Sequence, residues 1–207
     1  MLHYELIPAA DTDSRSLLVT LHGMGDSIEG YRWLPQALDL PWMNYLLVNA
    51  PDDYFGGFSW FDFYGDPIPG IERSREMVVE LLDAQHKAGF PADQVTVFGF
   101  SQGCVMALEV GFRYPRRFAG LVGVSGLVPQ PEVLLREMPM MAREQRMLFT
   151  HGTMDSLIPC GPVRQQVDGL RAAGLNITWR EFHKAHSVGG DDEIELVRDF
   201  IVAGYRR

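Results

Sequence analysis

The sequence predicts an α/β protein with a mostly parallel central sheet and helices on both of its faces. Two observations predict this class: short apolar runs of strand length alternate with segments of helical spacing, and no internal repeat interrupts that order. A chain of 207 residues is long enough for one well-packed core, so we expect a single domain over residues 1–207. In such sheets, sites form at the carboxyl ends of the strands.

Apolar runs and helical spacing give the order of the elements. Strands are predicted at 2–8 (a sheet edge), 17–21, 45–48, 95–98, 121–124, 147–150 and 177–182, and helices at 31–40, 71–88, 102–112, 133–141, 162–173 and 191–207. The last helix begins at three acidic residues and ends at Arg206 and Arg207, so its charges suit the helix dipole.

The composition narrows the classes of function. The formal net charge of −9 disfavours nucleic acid and anionic membranes as partners, whereas small neutral substrates stay open. The two cysteines are too few for a disulfide framework, and no metal-binding motif is singled out. No stretch reaches the length of a membrane span, and the N-terminus lacks the pattern of a signal peptide. We expect a cytoplasmic protein and leave its oligomeric state open, a homodimer included.

The segment 95–114 predicts the site around which the chain is organised. A buried strand leads into the sequence G-F-S-Q-G, from Gly99 to Gly103, and an apolar helix follows. Ser101 therefore lies where the strand becomes a helix. Glycines on both sides permit the sharp turn called a nucleophile elbow, which holds a serine hydroxyl in a cleft. The alternative is an ordinary glycine-rich turn with a serine N-cap.

Two residues downstream of the elbow complete a catalytic pattern. A serine hydroxyl is a poor nucleophile unless a base accepts its proton and a third group orients that base. Asp155 and His186 each follow a predicted strand, which places them with Ser101 at one edge of the sheet. The chain order of serine, aspartate and histidine is that of one hydrolase architecture. Taken singly, the aspartate would be read as a turn residue and the histidine as a loop residue.

Other histidines compete for the role of base. His183 lies three residues before His186, but a base supported by an acid on the preceding loop has to fold back over the sheet edge, which favours the deeper position. His183 is then expected at the surface. His22 and His151 both precede glycines at strand ends, where hydrogen bonds that shape a loop are the expected role.

Two backbone N–H groups are candidates for an oxyanion hole. The turn Gly23-Met24-Gly25 follows the first buried strand, and its small residues let the Met24 N–H approach a substrate oxygen. The second donor is the N–H of Gln102, at the start of the helix after Ser101, where the helix dipole favours negative charge. Asp26 is expected to cap the following helix.

An aromatic, glycine-rich stretch at 51–70 is too long for an ordinary connection. Its functional interpretation is that Phe55 and Phe58 wall the acyl site beside the serine, while Trp60 and Phe61 anchor the loop, so that Phe55, Phe58 and Trp60 are candidate substrate-binding residues. The alternative is a satellite hydrophobic core beneath the loop.

Six motifs carry a resemblance to a known family. They are L-H-G-M-G-D-S (Leu21 to Ser27), A-P (Ala50, Pro51), W-F-D (Trp60 to Asp62), G-F-S-Q-G (Gly99 to Gly103), H-G-T-M-D with a later proline (His151 to Pro159) and H-S (His186, Ser187). Through them the chain resembles the carboxylesterase/phospholipase family of α/β-hydrolases, to which acyl-protein thioesterases belong. The resemblance implies Ser101 as nucleophile, His186 as base, Asp155 as orienting acid, and Met24 and Gln102 as oxyanion donors.

The chain departs from the family pattern at three places. Cys104 stands where the family usually has a second glycine after the elbow, and Lys184 and Ala185 stand where it usually has a glycine with a small residue or methionine before the histidine. Residues 52–58 replace a more polar approach to W-F-D. A differently shaped base loop and an altered substrate range are expected.

The combined interpretation is an α/β-hydrolase that cleaves small-molecule carboxylic esters, or thioesters, through an acyl-serine, with no metal or organic cofactor. Within enzymes, a lactone hydrolase or peptidase with the same three residues is the alternative. Outside enzymes, it is a catalytically silent domain that binds a small apolar ligand, since fold alone does not imply function.

Overall fold

A computed structural model describes residues 1–205, whose strands form one large sheet and one small hairpin. The strands are β1 (Tyr4–Ile7), β2 (Leu17–Leu21), β3 (Asn44–Val48), β4 (Asp52–Tyr54), β5 (Gly57–Ser59), β6 (Val95–Phe100), β7 (Gly120–Val124), β8 (Arg146–Gly152) and β9 (Asn176–Phe182). The large sheet has the order β1-β3-β2-β6-β7-β8-β9, and only β1, at its edge, runs antiparallel to its neighbour. The predicted α/β class is confirmed.

Helices cover both faces of this sheet. They are α1 (Leu34–Leu38), α2 (Ile68–Lys87), α3 (Gln102–Gly111), α4 (Pro131–Glu137), α5 (Cys160–Ala172) and α6 (Asp191–Tyr205), with 3₁₀ turns at Ile28–Tyr31, Ala92–Gln94 and Met140–Glu144. One hydrophobic core lies between the sheet and the layer of α2, α3, α4 and α5. The second core lies on the opposite face, beneath α1 and α6.

The central strands are apolar and buried on both faces, as parallel strands between two helical layers must be. Their register aligns their carboxyl ends: Leu21 pairs with Gly99, and Val124 pairs with both Phe100 and Thr150. The segments that follow β2, β6 and β8 therefore leave the sheet side by side at one edge.

The aromatic stretch 51–70 is not a plain loop, because β4 and β5 pair within it as an antiparallel hairpin. Phe55 and Gly56 form the turn, with φ angles of 45° and 88°. A further bridge joins Phe58 to Asp26 in the loop after β2, so the hairpin lies against that loop.

The helix expected at 133–141 ends early, for a local reason. Proline disfavours the α conformation of the residue before it. Met138, which precedes Pro139, has an extended ψ of 138°, so α4 ends at Glu137 and a separate 3₁₀ turn follows.

The last helix, α6, begins as predicted at three acidic residues, where negative charge suits the dipole. Arg206 and Arg207, predicted at its far end, lie outside the described residues. Within residues 1–205, every helix is too short or too polar to cross a membrane.

Candidate active site

Ser101 links the end of β6 to the start of α3 in a strained conformation, with φ of 54° and ψ of −117°. The two flanking glycines explain how the chain reaches it. A Cβ on Gly99 would lie 2.0 Å from the carbonyl oxygen of Gly103, and a Cβ on Gly103 would lie 1.9 Å from the carbonyl oxygen of Leu21. A side chain at either position would overlap a backbone carbonyl. Because both positions are glycine, the strand and the helix can approach closely enough to form the turn that presents Ser101.

The structure brings Ser101, His186 and Asp155 into one hydrogen-bonded chain. The distance from His186 Nε2 to Ser101 Oγ is 2.8 Å, and that from His186 Nδ1 to Asp155 Oδ2 is 2.7 Å. The other carboxylate oxygen of Asp155 accepts hydrogen bonds from the N–H groups of Leu157 and Ile158, at 3.0 and 2.8 Å. With Nδ1–H donating to the carboxylate, Nε2 has a free lone pair that can accept the serine proton.

The other histidines occupy different environments. His183 is exposed, as expected from the sequence. His22 is buried, and its Nδ1–H donates to the carbonyl oxygen of Gly23 at 2.6 Å. His151 is also buried, and its Nε2–H donates to the carbonyl oxygen of Ile158 at 2.8 Å. Burial lowers the pKa of both His22 and His151, because the charged imidazole loses its hydration. Both rings hold loops in place around the site.

The two proposed oxyanion donors lie close to Ser101. Met24 is in the oxyanion loop, which we define as residues 22–26, and its N–H donates to no protein group within residues 1–205. Gln102 is the first residue of α3, so its N–H has no acceptor within the helix. Both residues line the same cavity as Ser101 and His186.

Two neighbouring cavities share Phe63, Ser101, Gln102 and Ile158. The first, of about 250 Å³, is largely apolar; besides the shared residues it is lined by Phe61, Pro67, Ile68, Ile71, Val105, Leu127, Pro129 and Gln130. We call it the apolar cavity. The second, of about 300 Å³, is lined besides the shared residues by Gly23, Met24, Asp26, Tyr64, Phe100, Leu157 and His186. We call it the histidine-side cavity.

The structure corrects the expected lining by the aromatic stretch. Neither cavity is lined by Phe55, Phe58 or Trp60. Phe55 is 96% exposed at the hairpin turn, Phe58 packs half-buried against the core, and Trp60 is fully buried. The reason is the hairpin, which reverses the chain at Phe55, leaves that side chain exposed, and pairs Phe58 with Asp26. The aromatic residues that do line the cavities follow it: Phe61, Phe63 and Tyr64.

Cys104, the first departure from the family pattern, lies directly behind the elbow. Its thiol packs against two glycines of the neighbouring strand segment: added Cβ atoms would lie 2.6 Å from its sulfur at Gly123 and 2.5 Å at Gly126. The larger side chain on α3 is thus accommodated by missing side chains opposite it. Burial raises the pKa of the thiol, which keeps it protonated and unreactive.

Lys184, the second departure, forms a buried ion pair in the loop that carries His186. Its ammonium contacts both carboxylate oxygens of Glu193 at 2.7 Å and the carbonyl oxygen of Ser187 at 2.7 Å. Glu193 also accepts a hydrogen bond from the N–H of Gly189. Burial lowers the pKa of Lys184, and the attraction of Glu193 opposes that shift. The pair ties the loop to the first turn of α6.

A strand-to-helix elbow with serine at its tip, and an acid and a histidine after later strands of a parallel sheet, define the class of α/β-hydrolases. Within residues 1–205, no group of three or more histidine, cysteine, aspartate or glutamate side chains is arranged to hold a metal ion.

Comparison with known proteins gives the family. The sequence pattern of the phospholipase/carboxylesterase family matches residues 2–203, so the chain belongs to this family and is a hydrolase acting on esters. Acyl-protein thioesterase 1 of Schizosaccharomyces pombe is 32% identical over 159 residues, 69% of each chain. A probable inactive carboxylesterase of Oryza sativa subsp. japonica is 26% identical over 87% of this chain and 82% of its own. The crystal structure of esterase PE8 matches with a TM-score of 0.87 and 26% identity, over 97% of this chain and 98% of that one.

The ion pair of the base loop gives a test of stability. Glu193→Ala leaves the Lys184 ammonium buried without its partner and should lower the free energy of unfolding by about 3–5 kcal/mol, measured by urea denaturation. The control is Glu29→Ala, which removes an exposed partner of Arg32 and should cost about 1 kcal/mol or less. Equal losses in the two variants would contradict a structural role for the buried pair.

Proposed function

We propose that the protein hydrolyses carboxylic esters through an acyl-enzyme formed on Ser101, with His186 as general base and Asp155 as the group that orients it. The observation that supports this assignment most directly is the pair of short hydrogen bonds through His186, 2.8 Å to Ser101 Oγ and 2.7 Å to Asp155 Oδ2. Nucleophile, base and acid thus lie at the hydrogen-bonding distances that this chemistry requires.

The reaction then proceeds in two halves. Ser101 Oγ attacks the ester carbonyl while His186 Nε2 accepts the hydroxyl proton, and the resulting imidazolium is stabilised by the Asp155 carboxylate. His186 returns the proton to the leaving alcohol, which departs and leaves an acyl-serine. Water, deprotonated by the same nitrogen, attacks this acyl group, and the free acid and Ser101 are released. Every proton moves through the chain's own side chains.

The tetrahedral intermediates carry a negative oxygen that needs hydrogen-bond donors. We assign the Met24 and Gln102 N–H groups to this role, because neither donor has a partner in its own loop or helix and both residues line the cavity at Ser101. The Gln102 donor also lies at the N-terminus of α3, where the helix dipole adds to the stabilisation. Such donors typically contribute about 10²–10³-fold each to kcat.

The two cavities divide the substrate between them. The largely apolar lining of the apolar cavity suits an acyl chain, since each buried methylene gains about 0.8 kcal/mol. The histidine-side cavity contains His186, which must protonate the leaving group, so the alcohol is assigned there. A thiol leaving group fits the same steps, and the similarity to acyl-protein thioesterase 1 of Schizosaccharomyces pombe supports thioesters as a second substrate class.

The triad assignment is tested by single substitutions. Ser101→Ala and His186→Ala should each lower kcat for a p-nitrophenyl ester by ~10⁴-fold or more, because the members of a triad act as a unit. The matched control is His183→Ala, which changes an exposed histidine of the same loop and should stay within roughly tenfold of wild type. A larger loss in the His183 variant than in the His186 variant would reassign the base. Wild-type protein that neither turns over esters nor reacts with a fluorophosphonate would instead indicate a silent domain.

The acyl assignment is tested by chain length. For p-nitrophenyl esters from acetate upward, kcat/KM should rise by about fourfold per methylene and then level off when the apolar cavity is full. Leu127→Phe places a larger side chain in that cavity, so the plateau should come at a shorter chain while acetate turnover is retained. Phe55→Ala, at the exposed hairpin turn, is the control and should leave the profile unchanged. A Leu127 variant that loses all esters equally would argue against this cavity as the acyl site.

A further inference from the structure

The hairpin of β4 and β5 does not face the substrate, but it binds the oxyanion loop directly. The N–H of Gly25 donates to the carbonyl oxygen of Phe58 at 2.8 Å, and the N–H of Phe58 donates to the carbonyl oxygen of Asp26 at 2.9 Å. A Cβ on Gly57 would lie 2.1 Å from the carbonyl oxygen of Gly25. The two backbones are therefore in contact just after Met24.

Trp60 holds the other end of the oxyanion loop. Its side chain is fully buried, and its indole Nε1–H donates to the carbonyl oxygen of His22 at 2.8 Å. The imidazole of His22 in turn donates to the carbonyl oxygen of Gly23 and accepts a hydrogen bond from the N–H of Ala50, at 2.6 and 3.0 Å. Hydrogen bonds thus hold the residues on both sides of Met24, and they restrict the direction of its N–H.

The same segment also binds the second donor residue. The side chain of Gln102 is buried, and its Oε1 accepts a hydrogen bond from the N–H of Trp60 at 2.9 Å. The Ser59 hydroxyl lies 3.1 Å from the same oxygen and 2.8 Å from the carbonyl oxygen of Phe61, which is the nearer acceptor for its single proton. The Nε2 of Gln102 donates to the carbonyl oxygen of Phe61 at 2.9 Å. Two backbone groups of this segment, the N–H of Trp60 and the carbonyl of Phe61, therefore hold the side chain of the first residue of α3.

We infer that Trp60 is a positioning residue of the oxyanion hole, which ties the Met24 loop to the Gln102 elbow through the segment 59–61. The two donors come from the loop after β2 and from the start of α3 after β6, and Trp60 bonds to both segments. Its indole donates to the carbonyl of His22 in the loop, and its backbone N–H donates to the side chain of Gln102. Oxyanion donors stabilise the developing charge only at the right distance from it. Fixing the spacing of the two donors therefore lowers the free energy of the transition state and leaves the affinity for the substrate unchanged. This inference rests on the proposed function, because the hole has a role only if Ser101 is acylated.

The first test removes the indole donor while keeping an aromatic ring. Trp60→Phe should lower kcat for p-nitrophenyl butyrate by roughly tenfold and leave KM within about twofold of wild type, since one donor is loosened and not deleted. The matched control is Trp33→Phe, which loses the same kind of bond, from Nε1 to the carbonyl oxygen of Gly30 at 2.7 Å, in a tryptophan that lines neither cavity and contacts neither donor. Its kinetics should equal those of wild type.

A second measurement separates positioning from a general structural effect. An alkyl trifluoromethyl ketone, which forms a tetrahedral adduct with the serine, should bind Trp60→Phe roughly tenfold more weakly, in proportion to the loss in kcat. The alcohol of the same chain length, which makes no oxyanion, should bind equally well. Circular dichroism and urea denaturation establish that the variant is folded. An equal loss for both inhibitors, or none for the ketone, would overturn the inference.

A second variant reaches the same loop without changing Trp60. Gly57→Ala pushes a methyl group against the Gly25 carbonyl and should show the same split between kcat and KM, whereas Gly161→Ala, where an added Cβ meets nothing within 4 Å, should not. If Trp60→Phe does not fold, the comparison of Gly57→Ala with Gly161→Ala is the deciding test, and a wild-type kcat in Gly57→Ala would overturn the inference.

The outcomes for the positioning role and for the proposed function are distinguishable. Turnover in wild type with unchanged kcat in a folded Trp60→Phe refutes the positioning role alone. Absence of turnover in wild type refutes the proposed function as well.

Discussion

The close approach of β6, α3 and β2 around Ser101 is the constraint on which the site depends. Gly99 and Gly103 each lie against a backbone carbonyl that any side chain would overlap. The sharp turn between them gives Ser101 a strained φ of 54°. Because the strand turns so sharply into the helix, one short segment presents a hydroxyl, a backbone N–H and the positive end of a helix dipole to the same point in space.

The remaining groups of the site lie in segments that follow separate strands, and buried hydrogen bonds hold these segments in position relative to one another. A buried polar group is costly without a partner, so a side chain that binds a loop backbone also fixes that loop. His22 does this for the oxyanion loop, His151 for the segment after Asp155, and the ion pair of Lys184 and Glu193 for the loop of His186. None of these side chains is proposed to take part in the reaction. Each instead holds a segment that carries one of the proposed functional groups.

The aromatic stretch contributes to two different parts of the candidate site. The hairpin and Trp60 pack against the oxyanion loop, whereas Phe61 and Phe63 turn into the apolar cavity. Under the proposed function, substrate range therefore depends on residues after Trp60, whereas the positions of the oxyanion donors depend on Trp60 itself.

The sequence by itself determined the α/β class, the order of the elements and the candidate residues Ser101, Asp155 and His186, because periodicity and the steric need for glycines at the elbow are local properties. Only the tertiary structure decided which aromatic residues line the cavities at Ser101. The hairpin turn at Phe55 reverses the chain, and the hydrogen bond between Trp60 and Gln102 joins positions 42 residues apart, a contact that no local pattern encodes. Residues such as Leu127 line the apolar cavity for the same reason: the packing of distant segments, and not their spacing along the chain, creates that space.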